Sequence, residues 1–258
     1  MGFKSKKNGY SSHCINKNNI FAIRNKVKMA KKTDKTEDRI VAVEEAFSKT
    51  EQFIETNQRI ILIVVGSIIV IVLGFFGFKR FYLVPKEKEA QGQMFMAEKY
   101  FEQDSINKAL NGDGNYLGFL DIIDQYGITK SADLAHYYAG ICYLKKGDYE
   151  NAIKFLKKFK SGDQMVQPMA TGAIGDAYME LKETDKALDY YLKAADEKKN
   201  ELTSPMLLMK AGWVYEDMGK YDQALAIYKR IKNEYPRSDE GNDIDKYIGK
   251  MEGILKNK

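Results

Sequence analysis

Three stretches decide the fold: Ala139-Gly140-Ile141-Cys142-Tyr143, Ile174-Gly175-Asp176-Ala177-Tyr178 and Ala211-Gly212-Trp213-Val214-Tyr215. Each sets a glycine three residues ahead of a tyrosine, and the glycines recur 35 and 37 residues apart. Nine residues after each tyrosine comes an alanine: Ala152, Ala187 and Ala224. Four further on stand Leu156, Tyr191 and Tyr228, followed by Phe159, Ala194 and Ile231. Self-similarity at this period marks stacked helical hairpins, in which one unit cannot bury its apolar face alone. Glycine and alanine let the two helices of a unit approach closely, and the tyrosine fills the gap to the next unit. Turns are expected at Lys146-Gly147-Asp148 and Met218-Gly219-Lys220, and Glu183 stands where the middle unit would have its turn glycine.

This pattern resembles the tetratricopeptide repeat, a helix–turn–helix of about 34 residues with small and aromatic residues at fixed places. Three units carry it, over about 133–166, 168–201 and 205–238, the last closing with Pro236. A degenerate unit over about 91–130 precedes them. Ala97 and Tyr100 take the glycine and tyrosine places, Asn111-Gly112-Asp113-Gly114 makes a longer turn, and Phe119, Ile122 and Ile123 lie on its second helix. Terminal units of such arrays are commonly atypical. Ser238 can cap a last helix over 239–258, with Ile244, Tyr247, Ile248, Met251 and Ile254 on its buried face.

The resemblance implies that the first helix of each unit faces a concave groove. The positions carried over are Leu134, Tyr137, Ile141 and Leu144, then Met169, Gly172, Asp176 and Met179, then Met206, Met209, Trp213 and Glu216. Met94 and Phe101 would extend the groove into the degenerate unit. The expected binding residues are therefore Leu134, Tyr137, Ile141, Leu144, Met169, Met179, Met206, Met209 and Trp213. Methionine is flexible and polarizable and serves surfaces that accept varied apolar partners. Two occupants fit such a groove: an apolar or partly unfolded polypeptide, or the protein's own capping helix or a second copy. The Lys, Asn and Arg set of the type that binds acidic chaperone tails is missing.

Upstream lies IILIVVGSIIVIVLGFFGF, residues 60–78, with Ser67 its only strongly hydrogen-bonding side chain. As a helix it spans roughly 28 Å, close to the hydrocarbon thickness of a bilayer. It reads as a single transmembrane helix. Lys79, Arg80, Phe81 and Tyr82 form a basic and aromatic edge suited to the headgroup layer. Gly66, Gly74 and Gly77 make no GxxxG pair. Pro85 is expected to break the helix, leaving 79–90 as a polar linker. The fold expected is all-α: one transmembrane helix followed by a tetratricopeptide-repeat solenoid over 91–237 with a C-terminal capping helix.

Residues 1–35 read as a disordered basic tail and 36–59 as a juxtamembrane helix with Ile40, Val43, Phe47 and Ile54 on one stripe. Met29 looks like a natural start, which would make 1–28 an upstream extension. Gly2 lacks Ser or Thr at position 6, so the myristoylation pattern is incomplete.

The overall charge of +5 is unevenly spread. Residues 1–59 hold 13 Lys/Arg against 7 Asp/Glu, whereas 90–258 hold 24 against 27. A slightly acidic, interleaved domain argues against a nucleic-acid partner. Cys14 and Cys142 lie on opposite sides of the apolar run and cannot pair within one chain. Two histidines, His13 and His136, leave no material for a His-rich metal site, and no phosphate-loop or dinucleotide motif occurs. His136 and Cys142 are read as packed core residues. Asp176 and Glu216 lack a histidine, serine or lysine motif that would make them an acid–base pair. No catalytic residue and no cofactor are expected.

Charge near the run gives conflicting topology. Lys79, Arg80, Lys86 and Lys88 favour a cytoplasmic C-terminal side, while the basic tail favours a cytoplasmic N-terminus. The segments NYLGFLDIIDQYG, AHYYAGICYLKKGDYENAIKFLKKF and SPMLLMKAGWVYEDMGKYDQALAIYKRI, within a short tail, one span and a small solenoid, resemble bacterial inner-membrane proteins related to the ancillary subunit of the Sec translocon. That resemblance implies a cytoplasmic N-terminus, a periplasmic repeat domain, and translocon subunits, periplasmic chaperones or unfolded clients as protein partners. The function it implies is a membrane-anchored scaffold assisting translocation, chaperone recruitment or envelope-protein assembly. The alternative is a structural homo-oligomer or an envelope or cell-division organiser without clients.

Overall fold

The structure, a computed structural model, describes residues 53–257. The expected tail over 1–35, the start at Met29 and the part of the juxtamembrane helix before residue 53 lie outside the described residues. The chain divides into two compact units, Met1–Gly74 and Phe75–Lys258. All regular structure among the described residues is helical.

The described part of the first unit is helical throughout and belongs to helix α1, residues 53–78. Its apolar side chains point outward: Ile63 is 68% exposed and Val70 70%. Ser67 Oγ donates to the Ile63 carbonyl at 2.7 Å, so the lone hydroxyl is satisfied within its own helix. The helical stretch Phe53–Glu102 is long and apolar enough to cross a membrane by length and composition, and its most apolar window is unburied.

In the second unit, Pro85 does not end the helix as expected. A π-helical turn, Lys79–Leu83, precedes α2 (Val84–Glu102), and Pro85 falls in the first turn of α2. Pro85 has no N–H to offer the ladder, and the π-turn, in which the Val84 N–H bonds the Lys79 carbonyl five residues back, lets the helix run on through it. Residues 79–90, read as a linker, are thus helical.

Short helices α3 (Ile106–Asn111) and α4 (Phe119–Tyr126) complete the degenerate unit. Helix α3 was not anticipated. The loop between them is pinned by Asp113, whose carboxylate accepts from Tyr100 Oη at 2.7 Å and from the Asn115 and Tyr116 N–H groups at 2.9 Å. The Tyr100 hydroxyl first, then these N–H groups, hold the Asp113 carboxyl below its usual range. Glu87 of α2 accepts from the Lys130 N–H and Ser131 Oγ, both at 2.7 Å, and so caps the next helix from a distance in sequence.

The three regular hairpins follow: α5 (Lys130–Lys145) with α6 (Tyr149–Leu156), α7 (Val166–Glu180) with α8 (Thr184–Glu197), and α9 (Thr203–Asp217) with α10 (Tyr221–Glu234). Helix α11 (Asp239–Lys256) packs on α10, with Ile244, Ile248 and Met251 buried and Ser238 accepting from the Gly241 N–H. Each second helix also packs on the first helix of the next hairpin.

The repeated glycines are sites of close approach. A Cβ on Gly140 would lie 2.5 Å from Leu156, one on Gly175 2.7 Å from the Tyr191 ring, and one on Gly212 2.3 Å from the Tyr228 ring. One side chain of the second helix therefore enters the notch left by each glycine.

The turns share one geometry. Gly147 and Gly219 have φ of +75° and +68°, and the N–H after each bonds the carbonyl of Tyr143 or Tyr215. In the middle hairpin Lys182, not Glu183, occupies the glycine's place, with φ of +60°, and Glu183 N–H bonds the Tyr178 carbonyl. A lysine can adopt this left-handed conformation at a cost of about 1–2 kcal/mol.

Candidate functional site

The first helices α5, α7 and α9 line a cleft of about 720 Å³, with Phe101 of α2 and the start of α11 at its ends. Of the expected binding residues, Leu134, Tyr137, Met169 and Met206 line this cleft. Met206 also borders a second cleft of about 370 Å³ with Met209 and Trp213, closed on its far side by Asp243, Lys246 and Tyr247 of α11. Ile141, Leu144 and Met179 border neither; they pack, partly buried, against the main core, as Leu134, Tyr137 and Met206 also do. Met209 is only 5% exposed, while Trp213 is 46% exposed. Met94, expected to extend the groove, is buried in the core of the first hairpins.

Helix α11 borders both clefts at its N-terminal end and leaves the larger one open. The capping helix therefore does not plug the groove.

Among the lining residues that the sequence reading missed, which include Tyr138 and Val166, two stand exposed at the rim: Met165, 48% exposed, and Leu202, 58% exposed. Each is held by the same local device. Asp163 Oδ1 accepts from the Met165 and Val166 N–H groups at 2.7 and 2.8 Å. Asn200 Oδ1 accepts from the Leu202 and Thr203 N–H groups at 2.9 and 2.7 Å. Such Asx turns satisfy the first N–H groups of α7 and α9 and fix the preceding apolar residue at the rim. The signal was available in sequence, as an Asp or Asn two residues ahead of an apolar residue at a 37-residue interval.

Tyr137 and Tyr138 carry hydroxyls whose pKa burial raises, so both remain neutral donors beside the apolar wall. Tyr138 stacks on Phe119 at 5.1 Å and meets Phe101 edge-on at 5.3 Å, which fixes that wall. The charged groups Glu201, Arg237, Asp239 and Glu240 lie toward the α9 and α11 ends. The lining contains no histidine, cysteine or lysine.

Asp176 and Glu216 are not brought together. Asp176 accepts from Tyr191 Oη at 2.7 Å and from Lys210 Nζ at 2.7 and 2.9 Å. Glu216 accepts from Tyr228 Oη at 2.6 Å and pairs with Lys250. Both lysines come 34 residues after their carboxylate, as Arg230 does after Asp196, so these are ties between successive hairpins. Burial chiefly, and the neighbouring carboxylates after it, raise the pKa of Tyr191 and Tyr228.

His136 packs 5.8 Å from the Phe155 ring, and its Nδ1 is buried without a partner. Burial, helped by Lys158, lowers its pKa. Burial pushes the Cys142 thiol up to about 12, which leaves it an inert apolar filler. Among the described residues no group of His, Cys, Asp or Glu is arranged to hold a metal ion.

The family comparison assigns residues 134–161 and 207–238, and separately 172–201, to the tetratricopeptide repeat. These are the three hairpins built on the Gly140, Gly175 and Gly212 notches. The chain carries tetratricopeptide repeats.

Several solved structures are similar to part of the chain. Tetratricopeptide-like repeats of a putative kinesin light chain from Podosopora anserina match with a TM-score of 0.50 at 11% identity, covering 66% of this chain and 88% of that one. YrrB, described as a tetratricopeptide-repeat protein with an unusual peptide-binding site, matches at 0.47 and 18% over 64% and 77%. MamA matches at 0.46 and 19% over 65% and 88%. The kinesin light chain likeness, at 11% identity, concerns the fold alone. Comparison with curated protein sequences returns no match. Tetratricopeptide repeats are protein-interaction scaffolds, and the apolar cleft on their first helices is the candidate interface.

Proposed function

We propose that this protein is a membrane-anchored scaffold whose larger cleft holds an apolar segment of another polypeptide. The carrying observation is the open cleft formed by Leu134, Tyr137, Met169 and Met206, with Met165 and Leu202 exposed at its rim. Three methionines, Met165 and Met169 at the start of α7 and Met206 on α9, supply adaptable contact area, and the rim charges keep the flanking surface wet. The run 60–78 serves as the single span, 91–237 as the solenoid and 239–258 as its cap. The resemblance of layout and repeat segments to the ancillary subunit of the Sec translocon supports a bacterial inner-membrane location, a cytoplasmic N-terminus and periplasmic repeats. On that reading the partners are translocon subunits, periplasmic chaperones or unfolded envelope clients.

The test is affinity purification of the full chain from membranes, with and without Met169→Glu plus Met206→Glu. Both positions reach the cleft without lying in the deep core, so the variant keeps its helical content. Loss of translocon or client proteins from the variant alone supports the reading. Equal recovery from both contradicts it.

A further inference from the structure

We infer that the base of the first hairpins docks on anionic phospholipid headgroups, through Lys79, Lys130 and the exposed Ile128. This rests on reading residues 60–78 as a membrane span. A cleft of about 310 Å³ brings together Lys79, Leu83, Val84, Glu87, Gln91, Ile128 and Lys130. Lys79 follows directly on the last residue of the apolar run, which under that reading sets this cleft at the headgroup layer. Ile128 is 55% exposed in the turn between α4 and α5, and Phe81 and Tyr82 on the π-turn are 83% and 49% exposed. An apolar tip and an aromatic edge beside lysines is the composition that enters a bilayer interface.

The charge is free to meet an anion. None of Lys79, Arg80, Lys86, Lys88 and Lys130 pairs with a carboxylate among the described residues. The ion pairs of the repeats take up other cations, from Lys145 onward. Glu87, the acid in this cleft, pairs with neither lysine side chain: its oxygens accept from the Lys130 N–H, Ser131 Oγ and Gln91 Nε2, so the cleft sets two lysine charges against one carboxylate. Lys86 Nζ lies over the Tyr82 and Tyr126 rings at 5.6 and 5.7 Å, which holds it on the same flank. Juxtamembrane lysines are attracted to anionic lipid by roughly fivefold each.

The test uses the full chain in vesicles, in a Cys14→Ser background, because buried Cys142 escapes labelling. A bimane probe is placed at Leu73→Cys or at Ile128→Cys, with lipid brominated near the headgroup end of its chains as quencher. Vesicles are phosphatidylcholine alone or with phosphatidylglycerol. The expected result is quenching at 73 in both lipids and at least about twofold stronger quenching at 128 with phosphatidylglycerol. Lys79→Glu with Lys130→Glu should return position 128 to its phosphatidylcholine level. Quenching at 73 with none at 128, or equal quenching at 128 in both lipids, overturns the inference and leaves the anchor standing. No quenching at 73 removes the anchor and the inference with it.

Discussion

The degenerate hairpin and the three regular ones are built by different means. In the regular units one device recurs: a side chain of the second helix enters a glycine notch, and a lysine or arginine reaches back 34 residues to a carboxylate. In the first unit Ala97 replaces the notch glycine, and the main contacts lie off that period: Phe119 on Tyr138, Asp113 gripping its own loop, Glu87 capping α5. The regular part is held by repetition, and the first unit by contacts that fall outside the repeat period, although Asp113 makes the same Asx turn as Asp163 and Asn200. The buried residues form two core clusters, the smaller containing α2 to α5 and the larger everything after, so the boundary falls inside the first regular hairpin.

That contrast can be broken from either side. Phe119 is fully buried, and Phe119→Ala should cost about 3–5 kcal/mol, as other large-to-small core changes do. Hydrogen exchange should rise across α2 to α4 while α7 to α10 stay protected. Uniform loss across all hairpins would mean the two clusters form one cooperative block. Gly212→Ala forces the buried Tyr228 ring to move and should cost about 1–3 kcal/mol, read from the denaturation midpoint. Here the exchange should rise first in α9 to α11. A neutral Gly212→Ala would show that the notch does not hold the hairpin together.

The smallest effect sharpens the regular set itself. Lys182 sits in the left-handed conformation that its counterparts assign to glycine. Lys182→Gly should stabilise by roughly 0.5 kcal/mol, the strain relieved less the entropy a glycine loses. A destabilised variant would mean that the lysine side chain contributes something the other two turns lack.

The same division governs what the sequence made legible. The notch glycines, the Tyr at their third neighbour and the alanines of the second helices are forced by packing at a fixed period, so the fold and hairpins could be read directly. The contacts off that period could not. Asp113 and Glu87 act through loop geometry and a partner 43 residues away, and neither leaves a period. Pro85 misled because a π-turn carries the helix through it, and such a turn has no signature in the sequence. For the cleft, positional analogy found Leu134, Tyr137, Met169 and Met206, all near the helix starts. Ile141, Leu144 and Met179, further along the helices, line neither cleft. The analogy missed Met165 and Leu202 because these precede the helices, on Asx turns.

The central claim is that the cleft, rather than another face, meets a polypeptide. A photo-crosslinking residue placed at Leu202, on the cleft rim, and in a second protein at Asp189, exposed on α8, tests it in intact membranes. The account predicts discrete protein crosslinks from position 202 that disappear with Met169→Glu plus Met206→Glu, and none from position 189. Equal crosslinks from both positions, or crosslinks from 202 that survive the double variant, would contradict it.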